Sequence, residues 1–290
     1  MKSFDYLLPR TLNEACNLLA DTSRGARLIA GGTDVLIEMR KPSSHSPKAL
    51  VDISRIPELR GISESGDSVV IKPLTTHTEI LQSGIVKQFA PLLRSAVSVI
   101  GSPQIRNRGT IGGNIVNAAA CADTVPPLMA LNAVLGLSSA AGEREVALSE
   151  FFVKPYVTTA RPEEILTEIR FKKLAPGIRS SFVKLGRRNA LSIARLSVAA
   201  MLKLDNKGIV EEARIVPGAA FPTWKRVGEA EQLLSGKAPS TDVFAEAGRK
   251  VSEMMIAETG RRWSTEYKEP VIAVLVRRAL EACMKVGEVV

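Results

Sequence analysis

The chain has 290 residues, 45% hydrophobic and 24% charged, which excludes a disordered, collagenous or wholly coiled-coil protein and allows two compact domains or one large one. Lys and Arg number 39 against 30 Asp and Glu, a formal charge of +9, but the basic residues are scattered and aromatics make up only 4%. Nucleic-acid binding is therefore not expected, and the charge reads as attraction to anionic ligands or acidic partner surfaces.

Cys16, Cys121 and Cys283 are widely spaced with no CxxC, which speaks against a zinc or four-cysteine iron–sulfur site in this chain and for a reducing, cytoplasmic location. Pro9 and Arg10 arrive before an apolar segment can build up, so no secretory signal is expected.

In chain order, Thr11 is placed to cap a helix whose Leu12, Ala15, Cys16, Leu18 and Leu19 fall on one face. Residues 27–30 read as a short strand running into Gly31-Gly32-Thr33-Asp34, residues 35–40 as a helix that stops before Pro42, and residues 49–53 as a buried strand. The opening is thus β-α-β-α-β. Residues 68–74 read as a strand, 76–89 and 91–100 as helices, and 101–123 as a long segment rich in Gly, Asn and Ala.

Residues 124–142 carry no charge, but Pro126, Pro127 and Asn132 interrupt them, so a buried helix followed by a strand is expected rather than a membrane span. Residues 135–139 and 145–148 suggest a hairpin, and 164–171 a strand. Leu174-Ala175-Pro176-Gly177 is the best domain boundary. Beyond it come strands at 181–185, 193–204 and 209–216, with Asp205-Asn206-Lys207-Gly208 as a hairpin turn, then helices at 227–234, 243–255 and 270–286. These predict an antiparallel sheet flanked by helices.

Two glycine segments, residues 28–35 and 107–115, carry what chemistry the sequence suggests. A Gly pair after a strand lets the backbone turn sharply and offers bare N–H groups to an anion such as a pyrophosphate. The second segment repeats this logic, with Thr110 and Asn114 beside Gly112-Gly113. Each segment alone could be a plain turn, and neither is a GxGxxG or GxxxxGK[ST] fingerprint. Two of them suggest a long ligand held at two points, a dinucleotide rather than a mononucleotide. Asp123 could bond ribose or ribityl hydroxyls, or cap the helix beginning near Thr124. Cys121 reads as a small buried hydrophobe before any redox role, and His45 and His77 have no partner spacing that suggests catalysis or a metal.

AGGTD at 30–34, IRNRGTIGGNI at 105–115, DxxPxLxAL from Asp123, PEEILTEI at 162–169 and KLGRR at 184–188 together resemble the FAD-binding medium subunit of the molybdenum hydroxylases. That is the family of xanthine dehydrogenase, aerobic carbon monoxide dehydrogenase and hydroxybenzoyl-CoA reductase, and the resemblance covers nearly the whole chain. It implies an α+β fold: a two-subdomain FAD-binding unit of the vanillyl-alcohol oxidase (PCMH) type over 1–175, with subdomains of about 1–55 and 56–175, then an α+β domain with an antiparallel sheet over 176–290.

By the same resemblance, Leu28, Ile29, Ala30, Gly31, Gly32, Thr33, Asp34 and Val35 would wrap the FAD pyrophosphate. Gly109, Thr110, Ile111, Gly112, Gly113 and Asn114 would hold the pyrophosphate and ribityl region from the other subdomain. Ile100 would lie against the adenine, Asp123 would make a polar contact, and Leu166 and Lys184 would lie beside the isoalloxazine. No catalytic acid–base pair and no metal site are expected. The implied partners are a molybdopterin-binding large subunit and a small subunit with [2Fe–2S] clusters, and the implied role is relaying their electrons to NAD+ or another acceptor. The stretch 156–162 lies where NAD+ could enter. A stand-alone flavin oxidoreductase of the same fold is the alternative. The cysteine-bearing insertion of the hydroxybenzoyl-CoA reductase branch is absent, since Cys121 stands alone.

Overall fold

A computed structural model describes residues 3–41, 47–188 and 190–285. The expectations for Pro42, His45 and Val286 fall outside these.

The first lobe is built from β1 (Asp5–Leu7), α1 (Leu12–Ala20), β2 (Ala26–Ile29), α2 (Val35–Met39) and β3 (Ala49–Asp52). The strands pair in the parallel order β1-β3-β2, which the helical crossovers permit. Thr11 caps α1 as its position predicts, its hydroxyl accepting from the Glu14 N–H at 3.2 Å. The apolar face of α1 then packs Ala15, Cys16 and Leu19 onto Val51 and Ile53.

The second lobe runs through β4 (Ile62–Ser65), β5 (Ser68–Ile71), α3 (His77–Gln82), α4 (Gly84–Phe89), α5 (Pro91–Ser98), α6 (Pro103–Arg108), α7 (Ile111–Asn117), α8 (Val125–Ala130), β6 (Val134–Ser139), β7 (Gly142–Ala147), α9 (Leu148–Phe151), β8 (Phe152–Lys154), β9 (Val157–Thr158) and β10 (Ile165–Lys172). Its main sheet is antiparallel in the order β4-β5-β10-β6-β7, with β8 and β9 as a separate small pair. The buried helix and following strand expected over 124–142 are α8 and β6, and the hairpin is β6-β7.

Three readings need correction. Residues 76–89 are two helices, because the Ser83 hydroxyl accepts from the Val86 N–H and starts a new one. Residues 101–123 hold two short helices, α6 and α7, each begun by a hydroxyl cap, Ser102 and Thr110. Strand β4 was not foreseen, since three of its four residues are exposed and it carries no alternation.

The remainder is β11 (Arg179–Leu185), β12 (Leu196–Leu204), β13 (Val210–Gly218), α10 (Gly228–Leu234), α11 (Thr241–Thr259) and α12 (Thr265–Lys285), with the antiparallel order β11-β12-β13. Helix α12 begins ahead of the expected Pro270, which it carries inside. Alternate residues of β12 face opposite sides, so Leu196, Val198, Ala200 and Leu202 pack with α11 and α12. From the other face, Ala199 and Met201 join the second lobe's core with Val216 and Trp224. The sheet is a middle layer between two helical layers.

The two lobes meet backbone to backbone. A Cβ at Gly31 would stand 2.0 Å from the Arg108 carbonyl oxygen at the end of α6. Only glycine tolerates such an approach. Gly31→Ala is therefore expected to force the lobes apart and cost about 1–3 kcal/mol of stability, read by urea unfolding; a variant as stable as the parent would mean that the contact does not hold the lobes together.

Candidate functional site

A cavity of about 470 Å³ lies between the lobes, and its walls include every residue from Leu28 to Val35, together with Gly109, Thr110, Gly112, Gly113, Asn114, Ile100 and Leu166. Fifteen of the eighteen residues singled out in the sequence thus converge on one space, although they come from segments on both sides of the lobe contact.

The two glycine segments do different work. The first leaves β2 at Ile29, turns through Gly32 in the left-handed region (φ +77°) and enters α2. The N–H groups of Gly31, Gly32, Thr33 and Asp34 find no acceptor among the described residues. Four consecutive donors on a cavity wall need partners, and an anionic oxygen group provides them.

The second segment is not a turn after a strand. It joins α6 to α7, with Thr110 as the N-cap whose hydroxyl accepts from the Gly113 N–H at 3.1 Å. The Ile111 N–H bonds the Thr75 carbonyl at 3.0 Å and the Gly112 N–H bonds the Pro73 carbonyl at 2.9 Å. Except for the Thr110 N–H, which finds no acceptor among the described residues, its backbone donors are therefore spent on the fold. What remains for a ligand is the Thr110 hydroxyl proton, the Asn114 amide, whose oxygen accepts from Thr124 at 2.7 Å, and the bare face of Gly113. A Cβ there would meet only Thr110 Oγ1, at 3.0 Å, so the space beyond is the cavity. The Ile111 side chain is fully buried in the second-lobe core and can reach a ligand only through its backbone.

Asp123 and Lys184 lie outside the cavity lining and pair with each other. Lys184 Nζ, on β11, donates to Asp123 Oδ2 at 2.6 Å and to the Val99 carbonyl at 3.0 Å, with the two side chains 10% and 7% exposed. The capping role open to Asp123 is not taken, since α8 has no side-chain cap. Burial pushes the Asp123 carboxyl up from 3.8 to about 6, against the opposing pull of Lys184, and its Oδ1 is sealed without a partner. Cys121 is half-buried, and burial followed by the neighbouring Asp123 charge raises its thiol, which keeps it protonated and favours the bland reading.

Of the wall at 158–166, the sequence assigns only Leu166 to the cofactor, with 156–162 read instead as a place where NAD+ could enter. Glu164 receives Arg144 in a two-point ion pair (2.6 and 2.8 Å) and the Arg161 N–H at 2.7 Å, and Arg144 also bonds the Thr159 carbonyl. This fixes the backbone that carries Thr158, Ala160, Arg161 and Pro162 to the cavity. His77 and Ile105 line it as well, and no local pattern announces them. Among the described residues no group of three or more His, Cys, Asp or Glu is placed to hold a metal, and no helix is long and apolar enough to cross a membrane.

The folded protein holds a proton on Asp123 between pH 3.8 and about 6 that the unfolded chain has released, so this group's contribution to stability is lost as pH rises through that window. Lys184→Met would leave the carboxylate buried without its cation. It is expected to cost about 3–5 kcal/mol at pH 8 and less at pH 5, where the carboxyl is protonated, and adding Asp123→Asn should recover most of the loss. Urea unfolding at both pH values reads this; equal losses at the two, with no recovery in the double variant, would show that the pair is not coupled.

Known proteins share this architecture throughout. Residues 2–172 match the family model described as the FAD binding domain in molybdopterin dehydrogenase, and residues 181–283 that of the CO dehydrogenase flavoprotein C-terminal domain. The chain is 34% identical over 278 residues to the 6-hydroxypseudooxynicotine dehydrogenase complex subunit alpha of Paenarthrobacter nicotinovorans, covering 96% of this chain and 93% of that one. It is 34% identical over 277 residues to the xanthine dehydrogenase FAD-binding subunit of Escherichia coli O157:H7, covering 95% and 94%. The solved carbon monoxide dehydrogenase of Hydrogenophaga pseudoflava that lacks the Mo-pyranopterin moiety superposes with a TM-score of 0.90 at 34% identity, covering 98% of each chain. With both halves matched, and with a cavity between lobes whose open donors suit a pyrophosphate, the chain belongs to the molybdenum hydroxylase family as an FAD-binding medium subunit.

Proposed function

We propose that this subunit takes electrons from [2Fe–2S] clusters of a small partner subunit, supplied in turn by a molybdopterin-binding large subunit, and delivers them to NAD+ or another acceptor. The complex is heteromeric, cytoplasmic and of the xanthine dehydrogenase type. Residues 1–175 act as the FAD-binding unit and 176–290 as the C-terminal domain. The observation that carries the reading is the row of four N–H groups from Gly31 to Asp34, without an acceptor among the described residues, on the wall of a cavity that both lobes enclose.

The residues present fit the cofactor. Gly31 to Asp34 would bind the pyrophosphate through backbone donors, with Thr110 and Asn114 adding side-chain hydrogen bonds from the opposite lobe. Ile100 and Leu166 supply apolar surface for the two ring systems. Bound FAD supplies one- and two-electron transfer, and the chain's task is binding, orientation and electrostatics. Lys184, held on β11 by the Val99 carbonyl and Asp123, would place a cation near the flavin ring. Among the described residues, the only carboxylate on the cavity wall besides Asp34, that of Glu164, is committed to Arg144. Such a site suits electron relay better than acid–base work on a substrate of its own.

Gly113→Val separates binding from folding, because the space beyond the Gly113 Cβ is open save for Thr110 Oγ1. The variant should lose FAD while keeping the melting temperature of the FAD-free chain. Gly32→Val should lose FAD as well, with some cost in stability from the positive φ. Normal flavin content in both would sink the loop assignment. The relay role is checked by affinity purification from the native host: a cluster-bearing and a molybdenum-bearing chain should accompany this one, and substrate turnover by the isolated FAD-loaded chain would count against it.

A further inference from the structure

The structure points to His77 as a further ligand-contacting residue: we propose that its Nε2–H donates a hydrogen bond to a phosphate or ribose oxygen of the bound dinucleotide beside Gly109 and Thr110. This deepens the FAD reading and rests on it.

His77 is the first residue of α3. A capping box of Thr76 and Glu79 fixes its backbone, and its own N–H bonds the Gly109 carbonyl at 3.1 Å. The residue is 3% exposed, yet it lines the cavity. The ring's Cδ2–Nε2 edge faces the Gly109 segment, since a Cβ built on Gly109 would stand 3.1 Å from Cδ2 and 3.4 Å from Nε2. Nδ1, on the other edge, is sealed without any partner, whereas Nε2 is not among the sealed atoms and bonds no described residue.

A protonated ring would need acceptors at both nitrogens, and the fold provides none. Burial, with the nearby Arg106 charge adding to it, lowers the imidazole to about 4, so the ring is neutral at physiological pH. A neutral ring carries one N–H, and a buried unpaired donor is rarer in proteins than a buried unpaired acceptor. The proton therefore sits on Nε2, leaving the Nδ1 lone pair bare. The result is a neutral donor on the cavity side of the ring, next to a glycine segment whose backbone donors, that of Thr110 excepted, are spent on the fold. It can satisfy an oxygen of the ligand without the desolvation cost of a buried cation.

Three measurements on the full chain test this. Nitrogen-15 NMR of the FAD-free protein should show the Nε2–H tautomer of His77, with the Nε2 resonance moving when FAD is added. Flavin fluorescence titration should give His77→Phe about tenfold weaker FAD binding, while His77→Gln, which keeps an N–H donor, recovers part of it. The melting temperature of FAD-free His77→Phe should not fall, because the ring's loss leaves no protein group unpaired. ADP and adenosine as competitors distinguish a phosphate from a ribose contact, the Phe variant losing discrimination between them only if phosphate is the acceptor. An Nδ1–H tautomer, or unchanged FAD affinity in His77→Phe while the parent chain binds FAD, overturns the assignment of His77 alone. If the parent chain takes up no FAD, the site reading and this one fall together.

Discussion

The Arg108 carbonyl occupies the space where a side chain at position 31 would stand, and the site depends on that approach. A strand end in the first lobe and a helix end in the second can come this close only because position 31 has no Cβ. Once they touch, Gly31 to Asp34 and the segment from Gly109 to Asn114, Ile111 excepted, form adjoining walls of one cavity. The contact between the lobes and the ligand site are thus one structural feature, and a substitution at Gly31 acts on both.

The same closeness divides the chemistry between the walls. In the first lobe the chain leaves a parallel strand and has not yet entered α2, so its N–H groups lack strand or helix partners and remain open. In the second, the Thr75 and Pro73 carbonyls and the Thr110 hydroxyl take up the donors of Ile111, Gly112 and Gly113. One loop offers backbone charge complementarity, the other side-chain hydrogen bonds. A long ligand with an anionic middle and two flat ends suits such a pair, and the apolar Ile100 and Leu166 fit the ends.

The C-terminal sheet belongs to this arrangement through two contacts of different character. Ala199, Met201, Val216 and Trp224 are buried in the second lobe's core, a non-directional attachment that fixes the layer but not its register. The ion pair of Lys184 with Asp123, reinforced by the Val99 carbonyl, supplies direction. Because Asp123 is raised to about 6 even with its cation present, the pair is an electrostatically strained point, stable only while both members stay. Cys121 beside it remains a protonated thiol for the same reason, the low polarity of its surroundings.

Local physics was legible in the sequence, and longer-range physics was not. The apolar run of residues 193–204, the Thr11 cap, the Asp205–Gly208 turn and the glycine pair after residues 27–30 each depend on a few consecutive residues, so these elements and an antiparallel sheet flanked by helices could be read in advance, whereas the fold class and most of the ligand wall came from the family resemblance of motifs such as AGGTD and TIGGN. The break at Ser83 and the helical nature of residues 111–117 were missed because a single hydroxyl accepting from a backbone N–H decides each, against a composition that suggests something else. Asp123 and Lys184 are 61 positions apart, and nothing around either announces the other. The open donors of Gly31 to Asp34, the spent donors of Gly112 and Gly113, and the sealed nitrogen of His77 follow from which carbonyls the folded chain brings near them. The sequence by itself determined the elements and the kind of ligand they suit; tertiary structure alone decided which polar groups were left unsatisfied, because a hydrogen-bond partner is a neighbour in space and only sometimes a neighbour in the chain.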